Sequence, residues 1–276
     1  MTPFFTSDRG SIYKAYAQDV YPLITPGSVS LVISDGPYRM SKAAWDKFAS
    51  WDAFIQWYEP HVEAWGRVCA EDATCYVWGS DESEGRLRAL MWAKGWTFKG
   101  SVTWDKCGGQ GARSDSPFPD YTEHCGIWVR GAPFVAHQLR TGHSPRGPSA
   151  TTSIWRYSLR TLAPERLRSD RVTRSMNLAG TAPIEWAAPL HDCQKPLEFY
   201  RRMLLASCPA GGLTLECFAG TCRAAVACER LPAAEARRYV CIEPDEYGRD
   251  YLPAILPQLR YDPADDEVGL QRGLFA

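Results

Sequence analysis

The chain has 276 residues, 45% of them hydrophobic and 23% charged, enough to bury a sizeable core as one large domain or as a domain with an insertion. Its formal net charge of −1 carries no global signature of nucleic-acid binding, so such a partner must be argued from a local patch. No stretch approaches the roughly eighteen apolar residues of a membrane span, and the start, MTPFFTSDRG, lacks a secretory signal pattern, so a cytoplasmic protein without a membrane partner is expected.

The first strand-like run, VSLVIS at 29–34, ends directly in SDGPY, residues 34–38. A helix is predicted next, because Phe54, Ile55, Tyr58, Val62, Trp65 and Val68 recur at three- and four-residue spacing. Then come a strand at 73–78, a helix at 82–93 and strands at 98–104 and 125–130. After a break, the pattern resumes with a helix at 196–207, where Pro196 suits the first helical position. A strand at 213–217, a helix at 221–230, a strand at 239–243 and a helix at 246–257 complete it. Several strands are apolar on both faces, as parallel strands in a covered sheet are. The class is therefore α/β.

The break, residues 131–190, is rich in Arg, Gly, Pro, Ser and Thr and has the look of an insertion. From Arg130 to Arg174 there are nine arginines, no lysines and two acids, Glu165 and Asp170. An arginine-only excess suits bidentate contact with phosphates and guanine edges. The stretch reads either as a solvated loop or as a nucleic-acid contact, for which Arg140, Arg146, Arg156, Arg160, Arg168, Arg171 and Arg174 are the candidates. The ten cysteines include no CxxC pair and match neither a zinc site nor a secreted disulfide framework, so buried reduced thiols and no metal are expected.

Two short segments carry chemistry. SDGPY reads either as a Gly-Pro turn or as a site where an acid and an aromatic crowd a strand end. LTLECFAGTCRAAVACE, residues 213–229, reads as strand, tight turn and helix, with Gly220 letting backbone approach a ligand closely. The next strand ends in Glu243, placed to accept the hydroxyls of a ribose.

Together these segments resemble the β class of amino-methylating DNA methyltransferases, which use S-adenosylmethionine. Asp35-Gly36-Pro37-Tyr38 is similar to the family's Asp-Pro-Pro-Tyr tetrapeptide. HDCQKPLEFY, from His191, is similar to the His-Pro-x-Gln-Lys-Pro segment that precedes the cofactor strand. ECFAGTC, from Glu216, resembles Asp-Pro-Phe-x-Gly-Ser/Thr-Gly. The order of catalytic tetrapeptide, target-recognition region and cofactor loop is that of the class.

The resemblance implies a Rossmann-like methyltransferase fold, circularly permuted, with a mostly parallel sheet and helices on both faces. It implies a catalytic half at 1–130, a target-recognition insertion at 131–190 and an S-adenosylmethionine-binding half at 191–276. The catalytic residues are then Asp35, Gly36, Pro37 and Tyr38. Asp35 and the Gly36 carbonyl accept the target N–H groups, Pro37 stiffens the turn, and Tyr38 stacks on a flipped-out base.

The cofactor set implied is Cys217, Phe218, Ala219, Gly220 and Thr221 lining the site, Glu216 near the methionine amine and Glu243 on the ribose. His191, Gln194, Lys195 and Pro196 fall near the carboxylate end, and Asp8 near the adenine. An acid at the first tetrapeptide position favours adenine N6 in double-stranded DNA. Cytosine N4 is the alternative, and a non-catalytic DNA-binding protein on the same fold is the alternative of another class. The family's habits make a homodimer and a cognate restriction endonuclease candidate partners in a bacterial or phage-infected cell. Three positions depart from the pattern: Gly36 for Pro, Glu216-Cys217 for Asp-Pro, and Cys222 for Gly.

Overall fold

The computed structural model describes residues 1–41, 43–105, 122–135, 154–156, 193–244 and 251–260. Nine strands form one mixed sheet: β1 (Phe5–Thr6), β2 (Gly10–Tyr13), β3 (Val29–Ser34), β4 (Cys69–Gly79), β5 (Thr97–Asp105), β6 (Thr122–Val129), β7 (Ile154–Arg156), β8 (Leu213–Glu216) and β9 (Arg238–Ile242). Their order is β1-β2-β9-β8-β3-β4-β6-β5-β7. From β2 to β4 all neighbours are parallel, whereas β6 runs antiparallel between β4 and β5.

The helices are α1 (Ala17–Val20), α2 (Trp51–Val68), α3 (Asp81–Ala93), α4 (Leu197–Ser207), α5 (Arg223–Glu229) and α6 (Tyr251–Leu259). Alternation along the strands divides the core. Leu31, Ile33, Tyr76 and Trp78 pack with Phe199 and Met203 of α4, Ala225 of α5 and Leu252 and Ile255 of α6. Val29, Val32, Cys75 and Val77 pack with Val20 of α1, Phe54, Tyr58 and Trp65 of α2 and Leu87 and Met91 of α3. Because successive strand residues point to opposite faces, both faces need helical cover.

All six predicted strands and five predicted helices are present, with ends shifted by a few residues, the first part of the last helix, 246–250, lying outside the described residues. The cofactor-side helix begins at Arg223 rather than 221, since Gly220 (φ +49) and Cys222 (φ +47) hold a left-handed turn first. Pro196 caps α4 instead of occupying its first turn.

Three short strands go beyond the predicted set. β1 and β2 have too few residues to show periodicity, and β2 reaches β9 through Gly10, where a Cβ would sit 2.1 Å from the Tyr239 carbonyl oxygen. β7, inside the predicted insertion, adds to the sheet edge beside β5 and includes the backbone of Arg156. The other six arginines named above, and His191, lie outside the described residues. Among the described residues no helix is long and apolar enough to cross a membrane.

Candidate active site

Chain direction creates the site. From β8 the chain crosses through α5 to β9 on one side, and from β3 it crosses through α2 to β4 on the other. β3 and β8 are adjacent and parallel, with Ile33 opposite Glu216. Their carboxyl ends therefore open a crevice at a topological switch point, where open α/β sheets bind ligands. A cavity of about 680 Å³ lies there, lined by Asp35, Gly36, Pro37 and Tyr38 after β3 and by Cys217, Phe218, Ala219, Gly220 and Thr221 after β8. Glu243, Gln194 and Lys195 complete that wall.

The turn after β3 is held from behind. Buried Asp46 accepts the backbone N–H groups of Tyr38 (2.8 Å), Arg39 (2.7 Å) and Met40 (2.8 Å). Those bonds fix a segment in which Arg39 (φ 62) and Ser41 (φ 57) take left-handed conformations. Tyr58 of α2 donates its hydroxyl to the Pro37 carbonyl at 3.2 Å. Gly36 is not a loosened proline position: a Cβ there would meet the Tyr58 hydroxyl at 2.4 Å and the Phe218 ring at 2.8 Å. The tetrapeptide glycine is a steric requirement of its neighbours.

At the bottom of the cavity four polar side chains converge. Lys195 Nζ donates to Asp35 Oδ1 (2.7 Å), Asp35 Oδ2 (2.8 Å) and the Tyr38 hydroxyl oxygen (2.9 Å), and lies 2.9 Å from Glu123 Oε2. The Tyr38 hydroxyl donates to Asp35 Oδ1 at 2.7 Å and approaches Glu123 Oε2 at 3.2 Å. The lysine side chain is 3% exposed and is ringed by Tyr38, Trp78 and Trp104, whose centroids stand 5.2, 5.2 and 5.8 Å from Nζ. Burial works to discharge this ammonium, but Asp35 and Glu123 outweigh it and hold the pKa above the ordinary lysine value. The cluster is thus a bound cation shared by two carboxylates. Burial, with Asp35 and Glu123 beside it, raises the Tyr38 phenol well above its usual range, so it stays a donor.

Lys195, expected near the carboxylate end of the cofactor, lines the cavity with its ammonium on Asp35. Tyr38 has its hydroxyl tied to Asp35 as well as a ring in the cavity. Glu123, near the start of β6, was invisible in the sequence pattern, because nothing local marks an acid whose partners, Tyr38 and Lys195, lie after β3 and before α4.

Three expected cofactor residues do not line the cavity: Pro196, which caps α4, Glu216 and Asp8. Glu216 is fully buried, accepting from the Ala224 N–H (3.0 Å) and the Cys241 thiol (3.3 Å), so its extra methylene takes the carboxylate to the start of α5. Burial raises its pKa to about 8. Asp8 is exposed in the turn between β1 and β2, at the end of β2 opposite the crevice. The cavity wall at the other end of β2 is Tyr16, Ala17 and Gln18. They adjoin Glu243, whose backbone bonds to Tyr13 and Ala15.

On the far side, Phe218 packs between Trp57 (5.3 Å) and His61 (4.9 Å) of α2. Burial lowers the His61 pKa to about 4, so the ring is neutral. The Glu243 carboxylate accepts the Gly220 N–H at 2.6 Å, joining the ends of β9 and the β8 loop. The nine described cysteines are thiols, and eight of them are buried.

The model of a DNA methylase family, the N6/N4 type, matches residues 29–251. The Type II methyltransferase M1.MboII of Moraxella bovis is 27% identical over 101 residues, 37% of this chain, and the match spans 39% of that relative's length. Among solved structures, the PvuII DNA methyltransferase, cytosine-N4-specific, superposes with a TM-score of 0.68 at 12% identity, covering 99% of this chain and 95% of that one. M1.HpyAVI, solved as a complex with SAM, gives 0.58 at 14% identity over 91% and 99%. TTHA0409 of Thermus thermophilus, complexed with S-adenosyl-L-methionine, gives 0.58 at 15% over 91% and 95%.

Proposed function

The chain belongs to the N6/N4 DNA methylase family, and on that premise we propose that it transfers a methyl group from S-adenosylmethionine to adenine N6 of a base flipped out of duplex DNA. The observation that carries the reading is Asp35, a carboxylate 15% exposed at the cavity floor and anchored by Lys195 and Tyr38. An exocyclic amine is a poor nucleophile because its lone pair is delocalised into the ring. A fixed carboxylate that accepts one of its N–H bonds makes the nitrogen more tetrahedral and directs the lone pair at the incoming methyl. Orientation and electrostatic positioning are what the protein supplies.

The residues present fit the cofactor. The cavity volume lies within the roughly 300–1,000 Å³ of small-ligand sites. Left-handed Gly220 bares backbone at the loop, Glu243 offers a carboxylate for ribose hydroxyls, and the Phe218, Trp57 and His61 rings give an apolar wall. When bound, S-adenosylmethionine supplies the electrophilic sulfonium methyl. A DNA target must reach Asp35 from the open side, and a base leaves the stack to do so.

Cytosine N4 is the second reading, favoured by the likeness to the PvuII enzyme; Asp35 supports adenine. Incubation with labelled S-adenosylmethionine and mixed-sequence duplex DNA, followed by nucleoside digestion, decides between them. N6-methyladenine is the expected product, and N4-methylcytosine replaces the adenine assignment. Absence of label together with DNA binding favours a non-catalytic binding protein. Modified-base sequencing of DNA from cells expressing the chain then gives the site.

A further inference from the structure

We infer that Lys195 reads the target base, donating a hydrogen bond to the unprotonated ring nitrogen beside the amine that Asp35 holds. This rests on the methyltransferase reading above. An ammonium has three N–H donors. Within 2.9 Å of Nζ stand four acceptors: both Asp35 oxygens, the Tyr38 oxygen and Glu123 Oε2. One contact is therefore in excess, and that to Tyr38 is the exchangeable one, because this hydroxyl spends its own proton on Asp35 and needs no donor.

Geometry fixes what the freed N–H meets. Lys195, Asp35, Tyr38 and Glu123 all line the cavity. An amine donating to Asp35 brings its neighbouring Watson–Crick ring atom to the lysine that grips the same carboxylate. In adenine that atom is N1 and in cytosine N3, both acceptors. In guanine and thymine the corresponding nitrogen carries a proton and would confront the cation with a second donor. Lys195 thus admits the two bases that bear a methylatable amine next to an acceptor and rejects the other two. Specificity of this kind comes as much from the unmet pair as from the bond made. Glu123 is the positioning residue: its carboxylate holds the ammonium in place and leaves Asp35 with less than a full counter-charge.

The first test alters one atom of the substrate and leaves the protein intact. A duplex carrying the mapped site is made with 1-deazaadenine at the target, in which carbon replaces N1, and compared under single turnover with adenine and 7-deazaadenine. If the product is N4-methylcytosine, 3-deazacytosine takes the place of 1-deazaadenine. The 1-deaza duplex is expected to react about 10–100-fold more slowly, the range of a hydrogen bond to a charged group, with 7-deazaadenine close to adenine. Glu123→Gln narrows the adenine to 1-deazaadenine ratio, while Glu123→Asp restores it in part. Equal rates on adenine and 1-deazaadenine overturn the inference alone. A protein that methylates no natural duplex overturns the methyltransferase reading, and the inference with it.

Discussion

Lys195 Nζ lies 2.7 Å from Oδ1 and 2.8 Å from Oδ2 of Asp35, a lysine gripping both oxygens of a carboxylate 160 residues away in the chain. The Asp35 carboxylate is thereby fixed in rotamer before any ligand arrives. Asp35→Ala is expected to lower the methyl-transfer rate by a factor on the order of 10²–10³ or more. Binding of S-adenosylhomocysteine, measured by calorimetry, should stay within a few-fold of wild type. Retained turnover would refute the role given to Asp35.

Gly36→Ala should destabilise the fold by about 1–3 kcal/mol, the usual cost of overpacking, because its Cβ would stand 2.4 Å from the Tyr58 hydroxyl oxygen. Tyr58→Phe removes that oxygen. The double variant should recover part of the loss, and chemical denaturation of the four proteins gives the coupling. Strictly additive effects would mean that the Phe218 contact at 2.8 Å alone sets the requirement.

Asp46→Ala strips three backbone N–H groups of their acceptor and should cost roughly 2 kcal/mol or more. Its activity loss should exceed its stability loss, since the left-handed Arg39 next to Tyr38 relaxes once released. Single-turnover rates at a temperature where the variant is fully folded separate the two.

Stability should fall as pH rises from about 6.5 to 8. Glu216, with its folded pKa raised by burial to about 8, binds its proton more tightly folded than unfolded. An acid with a raised pKa favours folding below that value, and the benefit is lost between its unfolded pKa and about 8. His61 has the opposite sign: its pKa, lowered by burial to about 4, makes stability fall as pH drops below the ordinary histidine range. Above about 6.5, the unperturbed histidine value, His61 no longer contributes, and toward pH 8 the buried thiols, whose pKa values burial raises, add to Glu216 with the same sign. Glu216→Gln should flatten the dependence of the urea midpoint over that window, and an unchanged slope would remove Glu216 from the account.

The central strands were legible because β3, β4, β8 and β9 are covered on both faces and read as apolar runs. Helix α2 was legible from the spacing of Phe54 to Val68 on its buried side. The tetrapeptide and the β8 loop were legible because each is contiguous. Partnerships across the chain were not. Nothing near residue 195 says that its ammonium meets Asp35, and nothing near 123 says that β6 inserts antiparallel and presents a glutamate there. Asp8 failed for a directional reason: a residue before a parallel strand lies at the end away from the crevice, so Gln18, after β2, fits the wall instead.

The pairing of β2 with β9, Gly10 opposite Tyr239, has a consequence for synthesis. Asp35 leaves the ribosome early, but its lysine, the β8 loop and the Glu243 wall come some 160 to more than 200 residues later. Closing such long loops is slow compared with local structure. A nascent or truncated chain ending before residue 243 therefore carries SDGPY without the opposite wall, and the cavity exists only once β3, β8, β9 and β2 have paired.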